Sequence, residues 1–264
     1  MRLIDTHCHL CHRWLHAQVD AVLERARAAG LVGVIAATAT VADTRASARL
    51  AAEHPDVWHT AGIHPHDARD ATDAALGDVE RLAGGGRCVA VGEIGLDYHY
   101  DYSPRDAQRR AFAAQLALAA RLGKPIVIHT REAFADTLAV LAEAGAAGER
   151  LVFHSFTGPP AETRQVLDLG ATVSFSGIAT FAKAEEIRQS ARLVPADRIL
   201  VETDAPFLSP EPVRKIKTNE PAHVAHVARR LAQVRGVDAE AFAAQTTDNA
   251  VRVFGLDAVG RSDE

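Results

Sequence analysis

The feature that most restricts the fold of this chain is an alternation. Short, β-branched apolar runs recur along it, and longer Ala/Leu/Arg stretches of helical period separate them. The runs fall at 2–5, 31–37, 57–62, 88–94, 125–129, 151–154, 172–176 and 199–203. The helical patterns include 20–29, 104–122 and 134–144, and Gly30, Gly123, Gly145 and Gly170 stand where helices should stop. Eight strands, each followed by a helix, predict a closed (β/α)8 TIM barrel, a fold of about 250 residues. A doubly wound open sheet is the second reading, because periodicity does not prove closure. The 264 residues are expected to form one domain, with 260–264 a frayed tail.

Composition narrows the function classes. A formal charge of −5 argues against coating nucleic acid by electrostatics alone and leaves room for capture at one local site. Cys8, Cys11 and Cys88 cannot all pair within one chain, and a disulfide framework is not expected at this size. No signal pattern precedes the first run, and no apolar run reaches the roughly 18 residues of a membrane span. A reducing, cytoplasmic setting is expected, with no membrane attachment and no obligate protein partner indicated.

Polar residues stand at the ends of the predicted strands. The first strand runs into His7 and His9 in "DTHCHL", and the third into His64 and His66 in "GIHPHD". The fourth carries Glu93, the fifth His129 and Arg131, the sixth His154, and the eighth Glu202 and Asp204. In a barrel, the C-terminal ends of the strands build the active site. Residues two apart on a strand share a face, so His7 and His9 point together while Cys8 points away. A single histidine of this kind is more often a hydrogen-bonded structural residue, and Glu93 or Asp204 alone reads as readily as a helix cap. Taken together, they read as a metal site, because buried carboxylates need a partner or a metal. The rival, a zinc finger begun by Cys8 and Cys11, lacks the second C-x-x-C that a closed structural site needs.

The ordered set "DTHCHL", "GIHPHDA", "GEIGLDYHYDYSPRDAQRRAF", "KPIVIHTREA", "VFHSFTG", "SFSGIATF", "VETDAPFLSP" and "NEPAHV" resembles the TatD family of metal-dependent hydrolases, within the amidohydrolase superfamily. The resemblance implies a (β/α)8 barrel with two divalent metal ions. One would be held by His7, His9, Glu93 and Asp204, and the second by Glu93, His129 and His154, with Glu93 bridging. It also puts His64 and Arg131 beside the bound phosphate. Cys11 departs from the aspartate common in the family, and "PVRKIKTNEP" is less typical than the sequence on either side of it. The fourth strand has no lysine to be carboxylated and offers Glu93 instead, which separates the chain from the dihydroorotase-like and phosphotriesterase-like branches.

The expected activity is metal-dependent hydrolysis of phosphodiester bonds, as a DNase or exonuclease acting on single-stranded or frayed DNA through a metal-activated water. Asp204 is the expected proton-transfer group, Glu93 the bridge, and Arg131 a clamp on a phosphate oxygen. Tyr98, Tyr100 and Tyr102 are candidates to stack on terminal bases, and Arg214, Lys215 and Lys217 to contact phosphates. The ligand types suit zinc, manganese or magnesium. Two alternatives remain open here: hydrolysis of a small ester, amide or aminoacyl-tRNA ester, and a non-catalytic metal-binding scaffold.

Overall fold

The strands pair in sequence order, each parallel to the one before it: β1 (Leu3–Cys8), β2 (Leu31–Ala36), β3 (Val57–Ala61), β4 (Cys88–Asp97), β5 (Ile126–Arg131), β6 (Leu151–Phe153), β7 (Thr172–Phe175) and β8 (Ile199–Val201). This computed structural model describes residues 1–256, so the tail expected to fray lies outside the described residues. Around the strands run α1 (Val19–Ala28), α2 (Val41–Glu53), α3 (Asp73–Ala83), α4 (Arg105–Leu122), α5 (Phe134–Glu143), α6 (Pro160–Asp168), α7 (Glu185–Leu193), α8 (Val224–Arg235) and α9 (Ala239–Phe254). Among the described residues, no helix is long and apolar enough to cross a membrane.

The ring closes just past β8. Asp204 N donates to His7 O at 2.9 Å and His9 N to Ala205 O at 2.7 Å, and Cys8 forms a parallel bridge with Ala205. The open, doubly wound alternative is therefore excluded. All eight strands end within three residues of their predicted ends, and β1 and β4 overrun them most. β1 runs on to Cys8 and β4 to Asp97, both through polar residues that hydropathy reads as loop. At this end of a barrel the inner face is the wall of a polar site, and these side chains compensate one another there.

The other end is sealed. Ala250, Val253 and Phe254 of α9 pack on Ile4, Ile35, Val127 and Leu200, the apolar layer at the N-terminal ends of the strands. Polar chemistry is thus confined to the C-terminal mouth. The long loop after β8 is pinned to the seam by buried Asn219, whose Nδ2 donates to Thr203 O (3.1 Å) and Phe207 O (2.7 Å).

Asp5 holds the seam from within. Its fully buried carboxyl group accepts from Thr203 N at 2.9 Å and shares a 2.5 Å hydrogen bond with Thr203 Oγ1. Burial pushes its pKa up to about 8, so the group is neutral at pH 7. An asparagine can reproduce a neutral carboxyl in this setting. Asp5→Asn should change the unfolding free energy by less than about 1 kcal/mol, whereas Asp5→Ala strands buried donors at a cost of about 1–3 kcal/mol. Denaturant titration at pH 7 compares the two, and equal losses would show that the carboxylate charge itself is needed.

Candidate metal centre

Glu93 lies inside β4, flanked by glycines that the strand cannot replace. A side chain on Gly92 would stand 2.7 Å from Val127 Cβ, and one on Gly95, at φ +141°, would stand 2.0 Å from the carbonyl oxygen of His129. β4 therefore passes β5 too closely for side chains at those positions, which brings the Glu93 carboxylate against the histidines of β5 and β6. The Gly92–Glu93 peptide is cis. Neither Glu93 nor Asp204 caps a helix, since β4 continues beyond the first and no helix begins at the second.

The two carboxylate oxygens of Glu93 face different sets of ligands. Oε1 lies 2.8 Å from His129 Nδ1, 2.8 Å from His154 Nε2 and 3.3 Å from His64 Nε2. Oε2 lies 3.3 Å from His7 Nε2 and 3.7 Å from His9 Nε2. Asp204 completes the second set, with Oδ1 3.4 Å from His9 Nε2 and 3.9 Å from His7 Nε2. Thus the six residues expected as ligands meet at one end of the barrel. His64, expected near a phosphate, stands among them.

Burial opposes charge throughout the cluster, and neighbours decide the outcome. Burial pushes Glu93 up, but His154 and His64 hold its carboxylate well below the usual range. Against the cost of burial, Glu93 and Glu202 raise His154 well above its ordinary value. His64 has no such excess of partners, and burial lowers it to about 4. His7 is likewise lowered by burial, and its Nδ1 finds no hydrogen-bond partner among the described residues.

Two further carboxylates aim the rings. Asp97 Oδ2 lies 3.0 Å from His129 Nε2 and 3.1 Å from His66 Nε2, and its Oδ1 accepts from the backbone N–H groups of His99 and Tyr100. Glu202 Oε1 lies 3.2 Å from His154 Nδ1 and accepts from Ser155 N, while Oε2 accepts from Ser174 Oγ at 2.5 Å. Glu202 also lies within ligand reach of His7 and His154. With both oxygens committed, it is an orienting group rather than a ligand. The sequence reading missed Asp97 and gave Glu202 no role. Parity was the available signal, because residues 93, 95 and 97 fall on one face of β4.

These orienting bonds test whether the donors fit a cation. The neutral tautomers that donate to Asp97 and Glu202 leave His129 Nδ1 and His154 Nε2 as lone pairs, 3.4 Å apart and both turned to Glu93 Oε1. His7 Nε2 and His9 Nε2 face each other at 3.4 Å beside Oε2 in the same way. Lone pairs gathered around one carboxylate oxygen need protons or a dication between them. An imidazole held by a carboxylate on its far nitrogen is a usual metal ligand.

Other expected site residues lie farther out. Arg131 is exposed, with its guanidinium 4.8 Å over the ring of Tyr100. Tyr98 donates its hydroxyl to Asp136 at 2.7 Å and is covered by Arg105 at 4.2 Å, while Tyr100 and Tyr102 carry the exposed rings. Lys215 and Lys217 are exposed, and Arg214 lies 3.9 Å over Phe181. Cys8 is buried and Cys11 accepts a hydrogen bond from Ser47, so no zinc-finger set assembles among the described residues.

The family described as TatD related DNase matches residues 4–255, nearly the whole barrel. The chain belongs to the TatD family. It is 41% identical over 261 residues to YcfH of Escherichia coli K12, described as an uncharacterized metal-dependent hydrolase, with 98% of this chain and 97% of that protein covered. It is 38% identical over 242 residues to the 3'-5' ssDNA/RNA exonuclease TatD of Erwinia tasmaniensis, covering 90% and 93%. The crystal structure of YjjV, a TatD homolog from Escherichia coli, superposes with a TM-score of 0.89 at 26% identity, covering 96% and 98%. The TatD barrel of this chain is thus one architecture with its relatives along nearly its full length.

The orienting bonds set an expectation for metal uptake. Asp97→Asn should weaken binding at the His129 side by about tenfold to a hundredfold, because the ring loses its anchor. His9→Ala should abolish uptake at the other side only. Calorimetric titration of each variant with a divalent ion measures both, and unchanged affinity in Asp97→Asn would remove the aspartate from the site.

Proposed function

We propose that this TatD-family chain is a metal-dependent nuclease that hydrolyses phosphodiester bonds in nucleic acid, with single-stranded or frayed DNA as its preferred substrate. The observation that carries the reading is a single buried carboxylate offering one oxygen to each of two ligand sets, with Asp204 beside it. The 3'-5' ssDNA/RNA exonuclease activity for which the Erwinia relative is named is in keeping with it.

His7, His9, Glu93 and Asp204 would hold one divalent ion, and Glu93, His129 and His154 a second, with His64 within reach of the latter set. The donor types suit zinc, manganese or magnesium. When bound, such ions polarise phosphoryl oxygens and lower the pKa of water. The residues of the chain do the rest. Asp204 is partly exposed at the mouth and is held ionised against burial by His9 and His7, so it can accept a proton from water and return it to the leaving oxygen. Arg131 can turn from Tyr100 to a non-bridging phosphate oxygen, and the loop with Arg214, Lys215 and Lys217 adds contacts that salt weakens. Three free thiols are in keeping with the cytoplasmic setting we propose.

Asp204→Asn should lower kcat on a labelled single-stranded oligonucleotide by about a hundredfold to ten-thousandfold, with KM changed far less. The measurement follows chelation and reconstitution with one defined metal at a time. RNA, aminoacyl-tRNA and an activated carboxylic ester are run in parallel. Faster turnover of either ester than of any oligonucleotide would replace the nuclease reading with an esterase.

A further inference from the structure

Two exposed ring clusters stand at the mouth, and the sequence drew attention to only one. Tyr100 and Tyr102, 46% and 55% exposed, stack on each other at 5.2 Å, with the edge of His66 against both. The other cluster comes from the loops after β1 and β8. Trp14 and Phe207, 45% and 41% exposed, lie 6.0 Å apart, and His12 sits between them at 4.9 and 5.4 Å.

Topology separates the clusters and puts the metal ligands between them. β8 and β1 meet at the seam, whereas the tyrosines follow β4, across a ring ordered from β1 to β8. Each cluster touches the ligands on its own side. Phe207 meets His9 edge-on at 6.0 Å, and its N–H donates to Asp204 O. His66, beneath the tyrosines, shares Asp97 with His129. Each cluster also carries an arginine: Arg131 over Tyr100 at 4.8 Å, and Arg13 over Trp14 at 5.8 Å. Among the described residues, neither guanidinium is paired with a carboxylate.

We propose that Trp14, His12 and Phe207 form a second base-stacking platform. A single strand would then cross the mouth with one nucleobase on each platform and the phosphodiester between them, over the ligands. This rests on the nuclease reading above. Every nucleobase presents a π face, so two ring platforms bind without regard to sequence. The uncommitted arginines supply local positive charge in a chain of net charge −5, as a phosphate backbone requires. Paired and stacked bases of a duplex cannot reach both platforms, so the arrangement selects single strands and frayed ends. A small ester would fill neither platform.

The chain's two tryptophans make the test direct. Trp58 is buried beneath Arg87, so quenching by bound nucleic acid reports on Trp14. The metal-loaded protein is titrated with a cleavage-resistant phosphorothioate oligothymidylate, following tryptophan emission and the anisotropy of a labelled copy. Saturable quenching should persist in Trp58→Phe and vanish in Trp14→Phe, which keeps a ring and most of the affinity. Trp14→Ala should lose about tenfold to a hundredfold in affinity, with metal content and melting temperature unchanged. Parental affinity in Trp14→Ala, while the parent cleaves oligonucleotides, would overturn the platform and leave the nuclease reading standing. If the parent neither binds nor cleaves oligonucleotides yet hydrolyses an activated ester, both fall. A parental dimer that Trp14→Ala dissociates without loss of oligonucleotide affinity would make the patch a contact between copies and overturn the proposal.

Discussion

A carboxylate held almost out of water inside a barrel is unfavourable unless something compensates its charge, and the site of this protein is arranged around that requirement at Glu93. Five imidazoles from four strand ends crowd the two oxygens, and none lies farther than 3.7 Å. Their approach depends on β4 running close along β5, which Gly92 and Gly95 alone allow. The local glycines, the strand register and the electrostatics of the cluster are one constraint seen at three scales. Protonated histidines or dications can satisfy it, and the orienting carboxylates support either by raising the basicity of the rings they hold.

Those orienting groups divide the labour within the cluster. Asp97 and Glu202 each fix which nitrogen of a histidine faces inward, and each is itself tied to backbone N–H groups. A ring that is aimed in advance loses little freedom when it binds an ion. The set of His7, His9 and Asp204 is organised differently. It straddles the seam where β8 meets β1, so the bonds that close the barrel also place these ligands. Asp5, neutral and bonded to Thr203 beneath the seam, holds the closure without adding charge next to the site.

The mouth is less uniform than the net charge of the chain suggests. Its two ring clusters carry arginines without a carboxylate partner among the described residues, whereas Arg45, Arg81 and Arg121 are tied to carboxylates of the outer helix α3. An acidic protein can in this way present a local surface suited to a phosphate backbone, and the basic loop after β8 extends it. Tyr98 belongs to the wall behind this surface, since its hydroxyl and ring are both engaged by α4 and α5.

Much of this was legible in the sequence. Eight apolar runs of strand length, spaced by helical patterns, require parallel pairing, because each strand must return to the same edge through a helix. Polar residues at the C-terminal ends of those strands could then lie only at one end of the sheet, which gave His7, His9, Glu93, His129, His154 and Asp204 together. Periodicity does not report closure, the depth to which polar strand ends remain in the sheet, or which loop side chains meet across the mouth. Hydropathy ended β4 at residue 94 and so passed over Asp97, although its parity with Glu93 pointed inward. Trp14 and Phe207 lie almost two hundred positions apart and carry no shared pattern. Only the closing of β8 onto β1 brings them together, because a pairing across the ends of a ring leaves no trace in local sequence.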